Sequence, residues 1–162
     1  MTIDHFGSMP AGKVIEIERE FQAPRELVFR AWTEEKHLMK WLCPKDFEVL
    51  FVTIDLRVGG SWRSGMKSPL GVTYVMRGIY IEIAYPQRLV FTHQWEDNTQ
   101  PGHEPGHETL INVTLADLGE RTKMRFKVSG LTTDESRDGQ AQGWSEAFGN
   151  LEASLLREQE LR

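Results

Sequence analysis

Apolar and polar positions alternate strictly from Lys13 to Phe21. Ile15, Ile17, Arg19 and Phe21 take one face, and Val14, Glu16, Glu18 and Glu20 take the other. Period two predicts a strand with one wetted face. Ala23-Pro24 then starts a helix whose buried side is Leu27, Val28, Ala31 and Trp32. Thr33-Glu34-Glu35 reads as the cap and acidic first turn of a second short helix ending near Lys40. Trp41-Leu42-Cys43-Pro44 closes it, because proline discourages helix in the residue before it.

A run of strands follows. Phe47 to Leu56 is rich in Phe, Val and Ile, Val58-Gly59-Gly60 is a turn, and Ser61 to Met66 carries Trp62. After a turn at Ser68-Pro69-Leu70-Gly71, Val72, Tyr74 and Met76 share one phase, whereas Ile79, Ile81 and Ile83 share the opposite one. The change of phase predicts a bulge or sharp bend at Gly78. Tyr85-Pro86-Gln87-Arg88 turns the chain, and Leu89, Phe91, His93 and Trp95 then lie on one strand face. Glu96 to Pro105 reads as a mobile polar loop. Two alternating strands, Thr109 to Leu115 and Thr122 to Val128, flank a hairpin turn at Asp117-Leu118-Gly119-Glu120.

The last stretch, Leu131 to Arg162, organises the rest. Thr132 and Glu135 have the spacing of a capping box, and Ala141, Trp144, Phe148, Leu151 and Leu155 form one stripe of a long helix. Glu146, Asn150, Glu152, Arg157 and Glu158 fall mostly off that stripe and are expected to face water. Gly139, Gly143 and Gly149 each cost roughly 1 kcal/mol relative to alanine, so the helix needs a large apolar cover. The strands are the cover available. The order implies an α+β chain: a curved antiparallel sheet wrapped around a long C-terminal helix, with two short helices after the first strand.

Such a wrap leaves a space between helix and sheet. The stripe of Trp144 and Phe148 faces strands carrying Trp62, Met76, Phe91, His93 and Trp95, with Trp41 near one end. These eight residues are the candidate ligand-binding set, because mostly apolar enclosures with one or two polar groups hold small molecules. His93 is the expected polar handle, since an imidazole both donates and accepts. Its plainer reading is a core histidine bonded to backbone or water.

Composition narrows the alternatives. The chain has 162 residues and a formal net charge of −5, which argues against sequence-independent nucleic-acid binding. No run approaches a membrane span, and no secretory signal is legible, so a cytoplasmic protein is expected. Residues 1–12 read as a flexible tail and 13–162 as a single domain. Cys43 is the sole cysteine, which excludes an intrachain disulfide. With no base adjacent in sequence, its thiol reads as structural. Asp55 reads as a turn anchor or the partner of an arginine. His103-Glu104-Pro105-Gly106-His107 has the H-E-x-x-H pattern of zinc proteases, but Pro105-Gly106 between the histidines forbids the helix that pattern requires. No metal, cofactor or catalytic residue is therefore expected.

Several motifs carry a family resemblance. Phe21-Gln22-Ala23-Pro24-Arg25-Glu26-Leu27-Val28-Phe29-Arg30-Ala31-Trp32-Thr33 resembles the opening motif of START-like (SRPBCC) proteins. The most similar branch is that of the activator of the ninety-kilodalton heat-shock protein's ATPase. Asp55 to Trp62, Met76 to Tyr80, Pro86 to Thr92 and Gly143 to Phe148 resemble the later motifs, so the likeness runs from about Lys13 to Leu156. It implies the helix-grip fold with a deep hydrophobic cavity under the C-terminal helix. Where the family commonly has two tryptophans and a glycine before a proline, this chain has Trp41-Leu42-Cys43-Pro44. The resemblance implies binding of a hydrophobic or aromatic small molecule. A chaperone-associated interaction protein is the alternative, and an enzyme acting on an enclosed hydrophobic substrate is a more distant one. Neither alternative has its own mark in the sequence, which shows no separate partner-binding domain and no nucleophile–base constellation. Fold alone does not decide between them.

Overall fold

The alternating segments build one antiparallel sheet. The computed structural model describes residues 12–96 and 107–160; most of the expected tail, most of the polar loop, and His103 lie outside them. The strands are β1 (Lys13–Phe21), β2 (Glu48–Ile54), β3 (Ser61–Lys67), β4 (Thr73–Ala84), β5 (Arg88–Trp95), β6 (Thr109–Asp117) and β7 (Thr122–Leu131). They run in the order β1-β7-β6-β5-β4-β3-β2, every neighbouring pair antiparallel. Two short helices, α1 (Arg25–Thr33) and α2 (Glu35–Trp41), follow β1, and a 27-residue helix, α3 (Asp134–Glu160), ends the chain. This is the α+β helix-grip arrangement that the pattern predicts.

The outer and inner faces of the sheet separate as period two requires. On the outside, Glu16, Glu18 and Glu20 of β1 sit opposite Lys127, Arg125 and Lys123 of β7. Glu18 bridges both Lys123, at 3.0 Å, and Arg125, at 3.1 Å. Exposed pairs of this kind fix register more than they stabilise. On the inside, Ile15, Phe21, Ile111, Val113, Met124, Phe126 and Val128 are buried against α3. From the helix, Trp144, Phe148, Leu151 and Leu155 close the core, joined by Ala147, while Ala141 is partly buried. Phe148 meets Phe126 at 5.0 Å between ring centroids, and Trp32 of α1 stacks on Trp144 at 6.1 Å.

Three local details differ from the sequence expectation. The side-chain cap of α3 is Thr133, whose Oγ1 accepts the Ser136 N–H at 3.0 Å, one residue beyond Thr132. Thr33 does not cap α2; its hydroxyl donates back to the Phe29 carbonyl at 2.9 Å, and α2 runs on to Trp41. The irregularity in β4 falls between Tyr80 and Glu82, not at Gly78. Gly78 keeps regular pairing with Trp62 and lies on the buried face. It is glycine because the Trp62 indole crosses it to donate to the Thr92 carbonyl at 3.1 Å. A Cβ there would collide with that carbonyl oxygen and with the indole nitrogen.

The glycines therefore separate by environment. A Cβ at Gly78 meets backbone and a buried indole, whereas one at Gly139 in α3 meets nothing within 4 Å. Gly78→Ala is expected to lower stability by about 1–3 kcal/mol through overpacking. Gly139→Ala is expected to raise it by about 0.4–1 kcal/mol. Urea midpoints of the two variants measure this; equal shifts would show that the Trp62 crossing does not constrain position 78.

Candidate functional site

Helix α3 does not seal the sheet along its whole length. Beneath its N-terminal half lies a cavity of about 230 Å³. The sheet contributes Met66 from β3, Met76 from β4, and His93 and Trp95 from β5. Register places Met76 directly opposite Trp95. His93 and Trp95 point to the same side because they are two residues apart on one strand, and their rings meet edge to face at 5.3 Å. The helix contributes Gly139, Gln140, Gly143 and Trp144, which recur on one face. Leu42, Cys43 and Pro44, with Phe47, form the side wall where α2 turns into β2.

The two glycines explain why space remains. A side chain at 139 would enter open space, and one at 143 would meet only the Pro44 ring, at 3.6 Å. Their cost in helix propensity is thus the cost of leaving the helix face bare above the cavity. The side wall is tied to α3 by two hydrogen bonds. Asn150 Nδ2 donates to the Cys43 carbonyl at 2.9 Å, and Glu146 Oε1 accepts the Lys45 N–H at 3.2 Å. Neither residue is a simple solvent-facing group, contrary to the expectation from helical spacing.

A second, much smaller void of about 20 Å³ adjoins it, lined by Trp32, Trp62, Tyr80, Leu89 and Phe91 among others. Trp144 and Leu42 line both spaces. Of the eight candidate residues, Met76, His93, Trp95 and Trp144 surround the larger cavity, and Trp62, Phe91 and again Trp144 surround the smaller. Trp41 and Phe148 line neither. Trp41 is fully buried, donates its indole N–H to the Ala31 carbonyl at 2.9 Å, and meets Trp32 edge to face at 4.8 Å. Phe148 is equally buried, between Trp41 and Phe126.

The polar side chains of the larger cavity are His93, Gln140, Gln142 and Glu146. His93 is buried, and its own carbonyl accepts the Thr109 hydroxyl at 3.1 Å. Gln140 Oε1 is buried without a hydrogen-bond donor. Rotation of its amide offers an incoming molecule either an acceptor or a donor. Burial pushes the Cys43 thiol up to about 11, and the thiol lies 3.5 Å from the Phe47 carbonyl. A thiol so raised stays protonated at neutral pH, the unreactive state. Asp55 accepts from Arg57 Nε at 2.9 Å on the surface, the arginine pairing that its sequence context allows. Among the described residues no group of three or more His, Cys, Asp or Glu is placed to hold a metal ion. The imidazole of His107 lies 2.6 Å from the Gly130 carbonyl.

Comparison with known proteins bears on this geometry. The sequence profile for Activator of Hsp90 ATPase homolog 1-like protein matches residues 22–155, most of the chain and all the elements that build the cavity. The chain belongs to this family. No curated protein matches it. Among solved structures, the family fold recurs in protein CV1439 from Chromobacterium violaceum. That protein is 26% identical, with 88% of this chain and 96% of that one covered and a TM-score of 0.77. The AHSA1 protein SPO3351 from Silicibacter pomeroyi is 25% identical over 90% of this chain and 99% of its own, with a TM-score of 0.78. A protein from Arthrobacter aurescens, 24% identical over 89% and 86% of the two chains, shares the fold with a TM-score of 0.78. Family membership agrees with the START-like superfamily, a fold commonly used for ligand binding. No helix among the described residues is long and apolar enough to cross a membrane.

Burial of Cys43 has a consequence for pH dependence. The unfolded thiol loses its proton near 8.5, whereas the folded thiol holds it to about 11. Its stabilising contribution is complete below the unfolded value and is lost as pH rises through the folded one. Native protein at pH 8.5 is expected to react with iodoacetamide far more slowly than urea-unfolded protein. Cys43→Ala is expected to flatten the loss of stability between pH 8.5 and 11. Equal alkylation rates in the two states would show that the thiol is open to solvent.

Proposed function

We propose that this protein binds a small, flat, mostly apolar molecule bearing one hydroxyl or carbonyl, held in the cavity between α3 and strands β3 to β5. The observation that supports the reading is the cavity itself. Thioether and aromatic groups of Met66, Met76, Trp95 and Trp144 form its walls, and His93, Gln140, Gln142 and Glu146 bring polar atoms to it. Its volume of about 230 Å³ exceeds the ~150 Å³ that accommodates benzene in an engineered core. It falls short of the ~300–1,000 Å³ of pockets for drug-sized ligands. One ring with a short substituent is the matching size. Methionine walls adapt to shape, so the apolar part selects by bulk and the polar groups by orientation.

A chaperone partner is the second reading, and it rests on the family match. The two readings separate in one experiment, because cavity binding needs no second protein.

The test uses 4-ethylphenol and 4-ethyltoluene, which differ by a hydroxyl in place of a methyl. Isothermal titration is expected to give a dissociation constant of about 1 mM or tighter for the phenol, about −4 kcal/mol or better. His93→Phe keeps the ring and removes its hydrogen-bonding atoms. It is expected to weaken the phenol by roughly 1–3 kcal/mol, the cost of an unpaired buried hydroxyl, and to leave the hydrocarbon unchanged. Equal loss for both would make His93 a structural residue, and binding of neither would remove the ligand reading.

A further inference from the structure

Trp144 is the boundary between the two internal spaces. Its indole is buried, with its ring 6.1 Å from Trp32 and 4.8 Å from Phe126, and it lines both the 230 Å³ cavity and the 20 Å³ void behind it. Leu42 also lines both spaces. The smaller void is bounded almost wholly by apolar groups of β2 to β5, α1 and α2. Within that lining, Trp32 is 97% buried, being 3% exposed, and its indole N–H has no acceptor. Trp62 on the same wall is satisfied by the Thr92 carbonyl. A buried donor without a partner is costly, and a ligand that supplies an acceptor recovers that cost.

We propose that Trp144 is the residue that sets ligand length, and that the void behind it is a latent subsite for the far end of an elongated aromatic ligand carrying a hydrogen-bond acceptor, received by the Trp32 N–H. The inference rests on the cavity-binding reading above. With tryptophan at 144, the cavity ends after one ring. With a shorter side chain, the two spaces join along the line from His93 past position 144 to Trp32.

The probes are 4-ethylphenol, 4-phenylphenol and 4-(pyridin-4-yl)phenol. The last two have the same shape and differ by an acceptor nitrogen at the far end. The wild-type protein is expected to bind 4-ethylphenol at least about tenfold more tightly than 4-phenylphenol, the scale on which an apolar pocket rejects excess bulk. Trp144→Ala is expected to reverse that order. Trp144→Leu, which retains an apolar side chain on the helix, is expected to do the same if the alanine variant does not fold. Phe148→Leu trims a ring that lines neither space and is expected to keep the wild-type order. In Trp144→Leu, the Trp32 indole N–H resonance, identified by its loss in Trp32→Phe, is expected to move downfield with the pyridyl probe and not with the phenyl one. If 4-ethylphenol binds but the order never reverses, the length-setting role of Trp144 is overturned and the cavity reading stands. The same holds if Phe148→Leu reverses the order; if the order reverses but the Trp32 resonance does not move, the role of the Trp32 N–H in receiving the acceptor is overturned. If 4-ethylphenol does not bind, both fall.

Discussion

The structure depends on one aromatic contact, the packing of Trp144 and Phe148 of α3 against Phe126 of β7 and Trp32 of α1. A 27-residue helix carrying three glycines has little stability of its own. Each of these rings brings a large apolar area, and edge-to-face or offset pairing adds to it. The contact fixes the height of α3 over the sheet. Once that height is set, residues further along the helix either fill the gap or leave it. Leu151 and Leu155 fill it toward the C-terminus. Gly139 and Gly143 leave it open toward the N-terminus, where the cavity lies.

Much of the fold was legible because both periods are clean. The alternation in β1, β6 and β7 and the three- and four-residue stripe of α3 predict which faces are buried, and those faces are buried. Details that depend on contacts across the sheet were not legible. Gly78 reads as a bend because glycine in a strand usually marks one. Its reason is the Trp62 indole crossing from the neighbouring strand, which no local pattern records. Thr132 and Thr133 are equivalent as caps in sequence, and only the course of the chain out of β7 selects the second.

The site was legible as a face but not as a depth. Periodicity put Met76, His93 and Trp95 on the inner side, yet it could not separate them from Trp41 and Phe148, which share the apolar character and lie in solid core. Gln140, Phe47 and Met66 escaped notice because their neighbours in sequence suggest turn, surface or ordinary strand, and Cys43 reads from sequence only as a structural thiol. The available signal was the pair of glycines four residues apart in α3. They read as a cost to the helix when their position above the sheet was unknown. Asn150 and Glu146 were misjudged for a related reason. Polar residues beside an apolar stripe look solvated, but here they receive the backbone of the turn after α2.

A bare helix face over a sheet with methionine, tryptophan and one histidine is thus the feature that links sequence to function. The most direct test is a carbon-13 methyl spectrum of methionine-labelled protein titrated with 4-ethylphenol. Met66 and Met76 line the cavity, whereas Met124 is fully buried in the core and Met39 is exposed on α2. The account predicts saturable shifts at Met66 and Met76, with Met124 and Met39 unmoved. Shifts at Met39 alone, or none at any methyl, would contradict it.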